Sequence, residues 1–594
     1  MPFFHGFSQR RCLFFIALAI KSYTWIGQLF SKFEGGSFVI NKALSEDYLD
    51  LLLENSKIDF RKDGNNVTPI NAKHSIFHFQ NPFTDKCEFK DYPYQAFQSL
   101  LFPESTINTK SFDLLHPLES FDLGFSGQGV LIGIVDSGIE YQHQAFLNID
   151  NTTRIFSIWD QTISDGGNLP EGFSFGTEYT KQMINIALRS SYPLSIVPSI
   201  DDTGHGTMVA GVAAGKENKE QGFSGVVPKA ELVVVKLKQA KKVNREIFLI
   251  DEDKICYEET DIMLGINYLL SVAQKLKRPM AICIALGSNK GGHDGHGALS
   301  SYLTLISQKS QMAVTISAGN EGNKRRHYQG NIPENQGFTK IELHISNKDK
   351  GFSMELWATS PSQVSIDITS PSGEYISELS LGMMQCSEHT LSETTVVWIN
   401  NLMAEGETGD QVILIRFLNP EEGIWKFRVY NKMYVDTRLN AWLPGDNFIS
   451  EETYFLDSCP NITITSPGNS PEAMTITAYD STTGVIADFS SLGFSRTNYV
   501  KPDLAAPGVN VVCPTPNNSY GTASGTGAAA AYGTGAAAMI LEWAVLKGHN
   551  TEIKGYDIKK LLIQSAQRDM YMQYPNPTWG YGKIDLLSLY ILLK

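Results

Sequence analysis

Two side chains that could carry acid–base chemistry stand at the ends of apolar stretches. Asp136 follows the continuous apolar run 130–135, which is typical of a buried parallel strand, and could accept a hydrogen bond from an imidazole there. His205 lies between two glycines at the start of an apolar stretch that favours a helix. A carboxylate that orients an imidazole makes a general base. Taken singly, each residue could instead be an aspartate capping a turn or an ordinary histidine at a helix start.

The motifs around both residues resemble those of subtilisin-like serine proteases. The aspartate motif is Val-Asp-Ser-Gly-Ile at 135–139, and the histidine motif is Gly-His-Gly-Thr at 204–207. A third stretch, Ser-Gly-Thr-Gly-Ala-Ala-Ala at 524–530, resembles the segment that carries the nucleophile. The order aspartate, histidine, nucleophile is that of subtilisin. The resemblance implies an α/β fold, with a subtilisin-like parallel sheet covered by helices.

The same resemblance implies that the nucleophilic serine belongs at position 527, where this chain has glycine. Without a side-chain oxygen, Gly527 can form no acyl-enzyme. Ser524 and Thr526 are nearby hydroxyls, but either would need the start of the following helix to shift. Gly527 keeps its N–H, and Asn320 matches the family asparagine that donates to the oxyanion.

Two functions are compatible with these residues. The first is a pseudoprotease that binds a peptide or protein partner in its cleft. The second is an active serine endopeptidase of which Gly527 is a variant. In either case Leu286, Gly287 and Ser288 resemble the strand edge that pairs with the substrate backbone. No cofactor is implied, and no carboxylate cluster in the sequence indicates a metal site.

One branch of the family is especially similar. The resemblance rests on residues 127–136 and 352–357, on a β-rich insertion, and on the Ser-Gly-Thr at 524–526 that precedes alanines where most subtilases have a proline. These features resemble the Csp-type germination proteases of spore-forming bacteria. Active members of that branch cut a cortex-hydrolase precursor, and others have lost triad residues and act as pseudoproteases in germinant signalling. The resemblance therefore implies germination as a context.

The texture of the chain divides it into five parts. We predict an N-terminal segment with a possible signal-like run (1–36) and a prodomain-like region (37–122). The first part of the subtilase domain (123–335) and its second part (461–594) flank an inserted antiparallel β (jelly-roll-like) domain (336–460). A capping serine and an acidic first turn predict a helix over 45–53. Apolar runs predict strands at 130–135, 230–236, 279–286 and 313–317. An amphipathic pattern predicts a helix at 259–276, and a stretch rich in alanine predicts one at 528–543.

Charge and cysteine content limit the partners and the redox chemistry. The net charge of −14 over 594 residues argues against nucleic acid as a partner. Seven widely spaced cysteines predict free thiols and no disulfide framework. A membrane association is not expected apart from the possible N-terminal signal, and secretion and association with spores both stay open as locations.

Overall fold

The computed structural model describes residues 41–80, 87, 92–109, 124–164, 167–378, 384–445 and 447–594, with the side chains of residues 384 and 385 left out. The predictions for the N-terminal segment 1–36, including its signal-like run, lie outside these residues.

An eight-stranded sheet forms the centre of the molecule. Seven of its strands run parallel, and an antiparallel strand closes one edge. Their order across the sheet is Leu504–Pro507, Met474–Tyr479, Met312–Ser317, Met280–Ile284, Leu131–Asp136, Glu231–Lys236, Ile155–Asp160 and Thr177–Thr180. The strand Leu131–Asp136 is buried throughout, because Ile132 and Ile134 pack into the core on one face and Leu131 and Val135 into the core on the other.

Helices cover both faces of this sheet, as the α/β prediction requires. The helices of the described residues are Phe60–Asp63, Lys181–Arg189, His205–Ala214, Lys242–Phe248, Glu259–Leu276, Ala298–Ser307, Thr526–Leu541, Gly555–Ser565 and Leu586–Leu593. Every residue of the central helix Thr526–Leu541 is buried. The stretch Thr526–Leu546 is long and apolar enough to cross a membrane, but most of it lies inside the protein, so it is weak evidence for a span.

The helix predicted over 45–53 is wrong. Residues Tyr48–Glu54 form a strand that pairs antiparallel with His74–Gln80, which also pairs with Val67–Pro69. Ser45 Oγ accepts the N–H of Asp47 at 3.2 Å within a turn, so the serine does not cap a helix. Cross-strand pairing outweighs the local preference for a helix cap, and residues Tyr48 to Leu52 are buried in the strand.

A buried ion pair joins this N-terminal sheet to the central domain. Asp50 Oδ2 lies 2.9 Å from Lys241 Nζ, and Asp50 Oδ1 lies 2.6 Å from His78 Nδ1. Burial raises the pKa of Asp50, but the hydrogen bond from His78 and the charge of Lys241 outweigh it and lower the pKa overall. The carboxylate is therefore ionised where the two units meet.

The expectation that all cysteines are free thiols is wrong at one pair. Cys87 and Cys386 form a disulfide across 299 positions. No sequence spacing points to it, because its two partners belong to the N-terminal region and to the β insertion. Cys256, Cys283, Cys459 and Cys513 are free.

The β insertion consists of two antiparallel sheets, in agreement with the predicted extra β domain. One has six strands, in the order His327–Ile332, Thr437–Trp442, Gly351–Ala358, Gln411–Leu418, Val396–Leu402 and Met384–Thr390. The other has five, in the order Tyr375–Ile376, Val364–Thr369, Gly423–Asn431, Phe338–Ile345 and Tyr454–Phe455. Their apolar faces share one core.

Two further small sheets border the central sheet. The first contains Tyr257–Glu258, Leu100–Pro103 and Leu286–Gly287, and the second contains Val511–Thr515, Ser519–Ser524 and Thr106–Asn108. All their pairings are antiparallel. Both sheets therefore include strands from residues 100–108, which we call the cleft segment.

Close packing of the central helix provides a test of the core. A Cβ added at Gly535 would lie 2.4 Å from Val226 Cβ. We expect Gly535→Ala to destabilise the protein by about 1–3 kcal/mol, because overpacking outweighs the helix propensity of alanine. Urea unfolding followed by fluorescence would measure this. The matched control is Gly337→Ala, where an added Cβ meets nothing within 4 Å. Equal stability of the two variants would contradict the packing.

Candidate active site

Asp136 and His205 meet at the carboxyl edge of the central sheet. Asp136 is the last residue of its strand, and His205 is the first residue of the helix His205–Ala214. His205 Nδ1 lies 2.8 Å from Asp136 Oδ1, and both side chains are buried. Gly206 permits this approach, since a Cβ there would lie 2.1 Å from the carbonyl oxygen of Gly138. The carboxylate fixes the orientation of the imidazole through Nδ1 and leaves Nε2 as the nitrogen that could exchange a proton.

A second carboxylate, which no motif in the sequence analysis identified, holds the start of the histidine helix. Asp201 accepts the N–H of Gly204 at 2.9 Å and that of Thr207 at 2.8 Å. It also accepts the hydroxyl of Ser137, next to Asp136, at 2.8 Å. Asp201 thus ties the loop after Asp136 to the helix that carries His205. The available signal was an acidic residue three positions before Gly204, typical of a helix start.

The electrostatics of the pair favour a protonatable imidazole. Burial lowers the pKa of His205, but the charge and hydrogen bond of Asp136, with a smaller contribution from Asp201, outweigh it and raise the pKa above its ordinary value of 6.5. Among the described residues, His205 Nε2 has no hydrogen-bond partner although it is buried. The imidazole can therefore accept a proton at Nε2 and be stabilised as a cation by Asp136.

Gly527 is the second residue of the central helix Thr526–Leu541. Its backbone lies outside the left-handed region, so the backbone conformation by itself does not require a glycine here. Its N–H donates to the carbonyl oxygen of Glu104 at 2.8 Å. The amide that the sequence analysis assigned to an oxyanion hole thus faces a peptide carbonyl of the chain itself.

Asn320 lies beside the same helix start. Its Oδ1 accepts the backbone N–H of Thr526 at 3.0 Å and the hydroxyl of Thr526 at 3.1 Å. These contacts orient the amide with its oxygen towards Thr526. The hydroxyl of Thr526 also accepts the N–H of Gly319 at 3.0 Å. Ser524 Oγ accepts the N–H of Asn510 at 3.0 Å, so the two hydroxyls nearest to Gly527 in sequence are engaged elsewhere.

The cleft segment belongs to both small sheets and connects them. Leu286 pairs with Pro103 and Gly287 with Phe102, and the N–H of Glu104 donates to the carbonyl of Ala285 at 3.0 Å. The predicted edge at Leu286 and Gly287 therefore does hold an extended backbone. The next residue, Ser288, pairs through its N–H and its carbonyl with Ser466.

Beyond Glu104 the cleft segment continues along the other small sheet. Ser524 pairs with Thr106, Ala523 with Ile107 and Thr522 with Asn108. The Glu104–Ser105 peptide bond thus lies at the start of the central helix, with strand pairing on both sides. The prediction of a prodomain-like region at 37–122 did not include a contact between this segment and the central helix. No local pattern in the sequence links residues that are 423 positions apart.

The side chain of Glu104 occupies a pocket beside the groove. It is fully buried, and its Oε1 accepts the hydroxyl of Thr465 at 3.0 Å. Gly287 forms one wall, where a Cβ would lie 2.1 Å from Glu104 Oε1. The pocket therefore admits a long side chain with an oxygen near its end. Among the described residues, no group of three or more His, Cys, Asp or Glu could hold a metal ion.

Comparison with known families agrees with this geometry. The model of the subtilase family matches residues 127–341 and 456–582. These two ranges cover more than half of the chain and contain Asp136, His205, Asn320 and Gly527. The unmatched residues between them cover most of the β insertion.

Two curated proteins of Bacillus subtilis (strain 168) are similar over part of their length. The minor extracellular protease Vpr is 21% identical over 438 residues, which are 71% of this chain and 47% of Vpr. Bacillopeptidase F is 29% identical over 155 residues, which are 25% of this chain and 10% of that protein. The chain thus spans about half the length of the first relative and a tenth of the second.

A solved structure is similar over most of the chain. It is that of the CspB protease of Clostridium perfringens, with 27% sequence identity and a TM-score of 0.70. The similarity covers 80% of this chain and 96% of that one.

The raised pKa of His205 leads to a prediction about its partner. We expect Asp136→Asn to lower the pKa of His205, because burial then acts with less opposition. Since the folded pKa exceeds the unfolded one, the pair stabilises the fold at low pH, and this contribution is lost as pH rises through the folded pKa. Histidine NMR titration, with His205 assigned from a His205→Asn variant, measures the shift. An unchanged pKa would show that Asp136 does not charge-stabilise the imidazole.

Proposed function

Because the chain belongs to the subtilase family, we propose that it is a subtilase homologue that holds a peptide in its cleft without cutting it. In this pseudoprotease the acid–base pair survives, and the nucleophile is missing at Gly527. The observation that carries the proposal is the position of the Glu104–Ser105 peptide, whose carbonyl accepts the N–H of Gly527 at 2.8 Å. In this proposal the extended cleft segment takes the place of a substrate backbone, and no side-chain oxygen at 527 can attack it.

The roles proposed for the other residues follow from the contacts. Asp136 orients His205, which would take the proton from a nucleophile through Nε2. The N–H of Gly527 and the amide of Asn320 would stabilise the oxyanion. Leu286 and Gly287 bind the peptide backbone. In subtilisin the loss of the nucleophile lowers turnover by about 10⁶, so the retained groups alone give negligible proteolysis.

The partner is a peptide or a protein segment in extended conformation. The cleft segment already occupies both halves of the groove, so a partner acting in trans must displace it or bind elsewhere. The resemblance to the Csp-type branch and the similarity to the CspB protease of Clostridium perfringens support a role in germination, in which binding rather than cleavage transmits the signal.

An active endopeptidase is the second candidate, and one observation favours it. The backbone of Gly527 has no need of glycine, and the His205–Asp136 pair keeps a hydrogen bond of 2.8 Å. A serine at 527 in a parent sequence would then complete the triad, and Gly527 would be a variant of that parent.

A fluorophosphonate probe distinguishes the two functions. We expect no labelling of the unmodified chain, because the attacking oxygen is absent. Gly527→Ser should become labelled if the segment leaves the cleft, or cut itself between Glu104 and Ser105 if it stays. In that cut the serine oxygen adds to the Glu104 carbonyl, His205 passes its proton to the Ser105 nitrogen, and water then releases the Glu104 acid. Intact mass spectrometry identifies both products.

The matched control is Gly527→Ser combined with His205→Ala, which should neither label nor cut. Labelling of the unmodified chain would overturn the non-cutting function. A folded Gly527→Ser variant that stays unlabelled and uncut would show that the rest of the machinery has been lost as well.

A further inference from the structure

We propose that the cleft of this chain is selective for a peptide with serine directly after the residue whose carbonyl faces Gly527, because that serine supplies the hydroxyl missing at 527. The inference rests on the proposed peptide-holding function and names the chemistry of the peptide. The ligand class is an extended peptide carrying a Glu–Ser pair, and the cleft segment is its occupant within the chain.

The start of the central helix needs hydrogen-bond acceptors. The first amides of any helix have no partner within it, and the residue before this helix, Gly525, has no side chain with which to cap them. Asn320 takes the N–H of Thr526, and the Glu104 carbonyl takes that of Gly527. Ser105 Oγ accepts the N–H of Ala528 at 3.0 Å. The bound peptide therefore caps the helix, with its carbonyl and its serine hydroxyl together.

Glycine at 527 creates the space for this serine. A Cβ at 527 would lie 2.8 Å from Ser105 Oγ and 3.1 Å from the Glu104 carbonyl oxygen. A contact under 3.0 Å cannot persist without movement, so a side chain at 527 and the observed serine rotamer exclude each other. Ser105 Oγ also donates to the Glu104 carbonyl at 2.7 Å, beside the N–H of Gly527. The hydroxyl of the ligand thus stands where a catalytic side chain would start.

The pocket beside the groove also recognises the side chain of the residue before the serine. Glu104 is fully buried, with Oε1 bonded to Thr465 and Gly287 leaving room for it. A short apolar residue at this position would leave the Thr465 hydroxyl without this acceptor. The side-chain pocket and the helix cap thus recognise two neighbouring residues of one peptide.

Hydrogen exchange with mass spectrometry on the full chain tests the pairing. Ser105→Ala removes the acceptor of the Ala528 amide, which should then exchange roughly tenfold faster, as expected for the loss of a helix cap. Gly527→Ala should turn the Ser105 hydroxyl away and shift the Glu104 carbonyl, and this shift should speed exchange of the Glu104 amide, which bonds to Ala285. The double variant Gly527→Ala, Ser105→Gly removes the Ser105 side chain that meets the added Cβ. It should restore the protection of the Glu104 amide against exchange.

The matched control is Thr106→Ala, which removes the neighbouring hydroxyl and its bond to the Ser524 carbonyl at 3.3 Å. It should leave the Ala528 amide unchanged. Unchanged exchange in both single variants, or no rescue by Ser105→Gly, would overturn the inference. None of these readouts depends on probe labelling, so labelling of the unmodified chain would defeat the non-cutting function and leave the serine pairing standing.

Discussion

The start of the buried helix Thr526–Leu541 is the constraint on which the rest of the site depends. Its first amides lie beside the groove, where each one needs an acceptor. Asn320 and the cleft segment supply those acceptors, and the antiparallel pairing of residues 100–108 with strands on both sides keeps the segment in register. The space beside this helix start is thereby filled by the chain itself.

Two contacts hold the N-terminal region, which precedes the cleft segment, against the body. The Asp50–Lys241 ion pair is buried, and the disulfide between Cys87 and Cys386 links that region to the β insertion. A buried pair is costly to break, because removing one partner leaves an uncompensated charge. These contacts would keep the residues before the cleft segment on the body even if the strand pairs of the segment opened.

Much of the fold could be predicted from local patterns. The continuous apolar run before Asp136 specified a buried strand, and the helix Glu259–Leu276 agrees with its predicted bounds. The strand Tyr48–Glu54 could not be predicted, because its capping signal is local whereas its pairing with His74–Gln80 and its buried ion pair are not. The disulfide could not be predicted for the same reason, since its two cysteines lie 299 positions apart.

The sequence by itself determined which atoms are present: an aspartate, a histidine and an asparagine in family motifs, and no side-chain oxygen at Gly527. Chemistry that depends only on which atoms are present can be predicted from the sequence, because a hydroxyl that is absent from the sequence is absent in any fold. Only the tertiary structure decided that Asp201 ties the two motifs together and that Glu104 and Ser105 lie at Gly527. These contacts join residues up to 423 positions apart, and such proximity arises from packing of the whole chain, which no local pattern encodes.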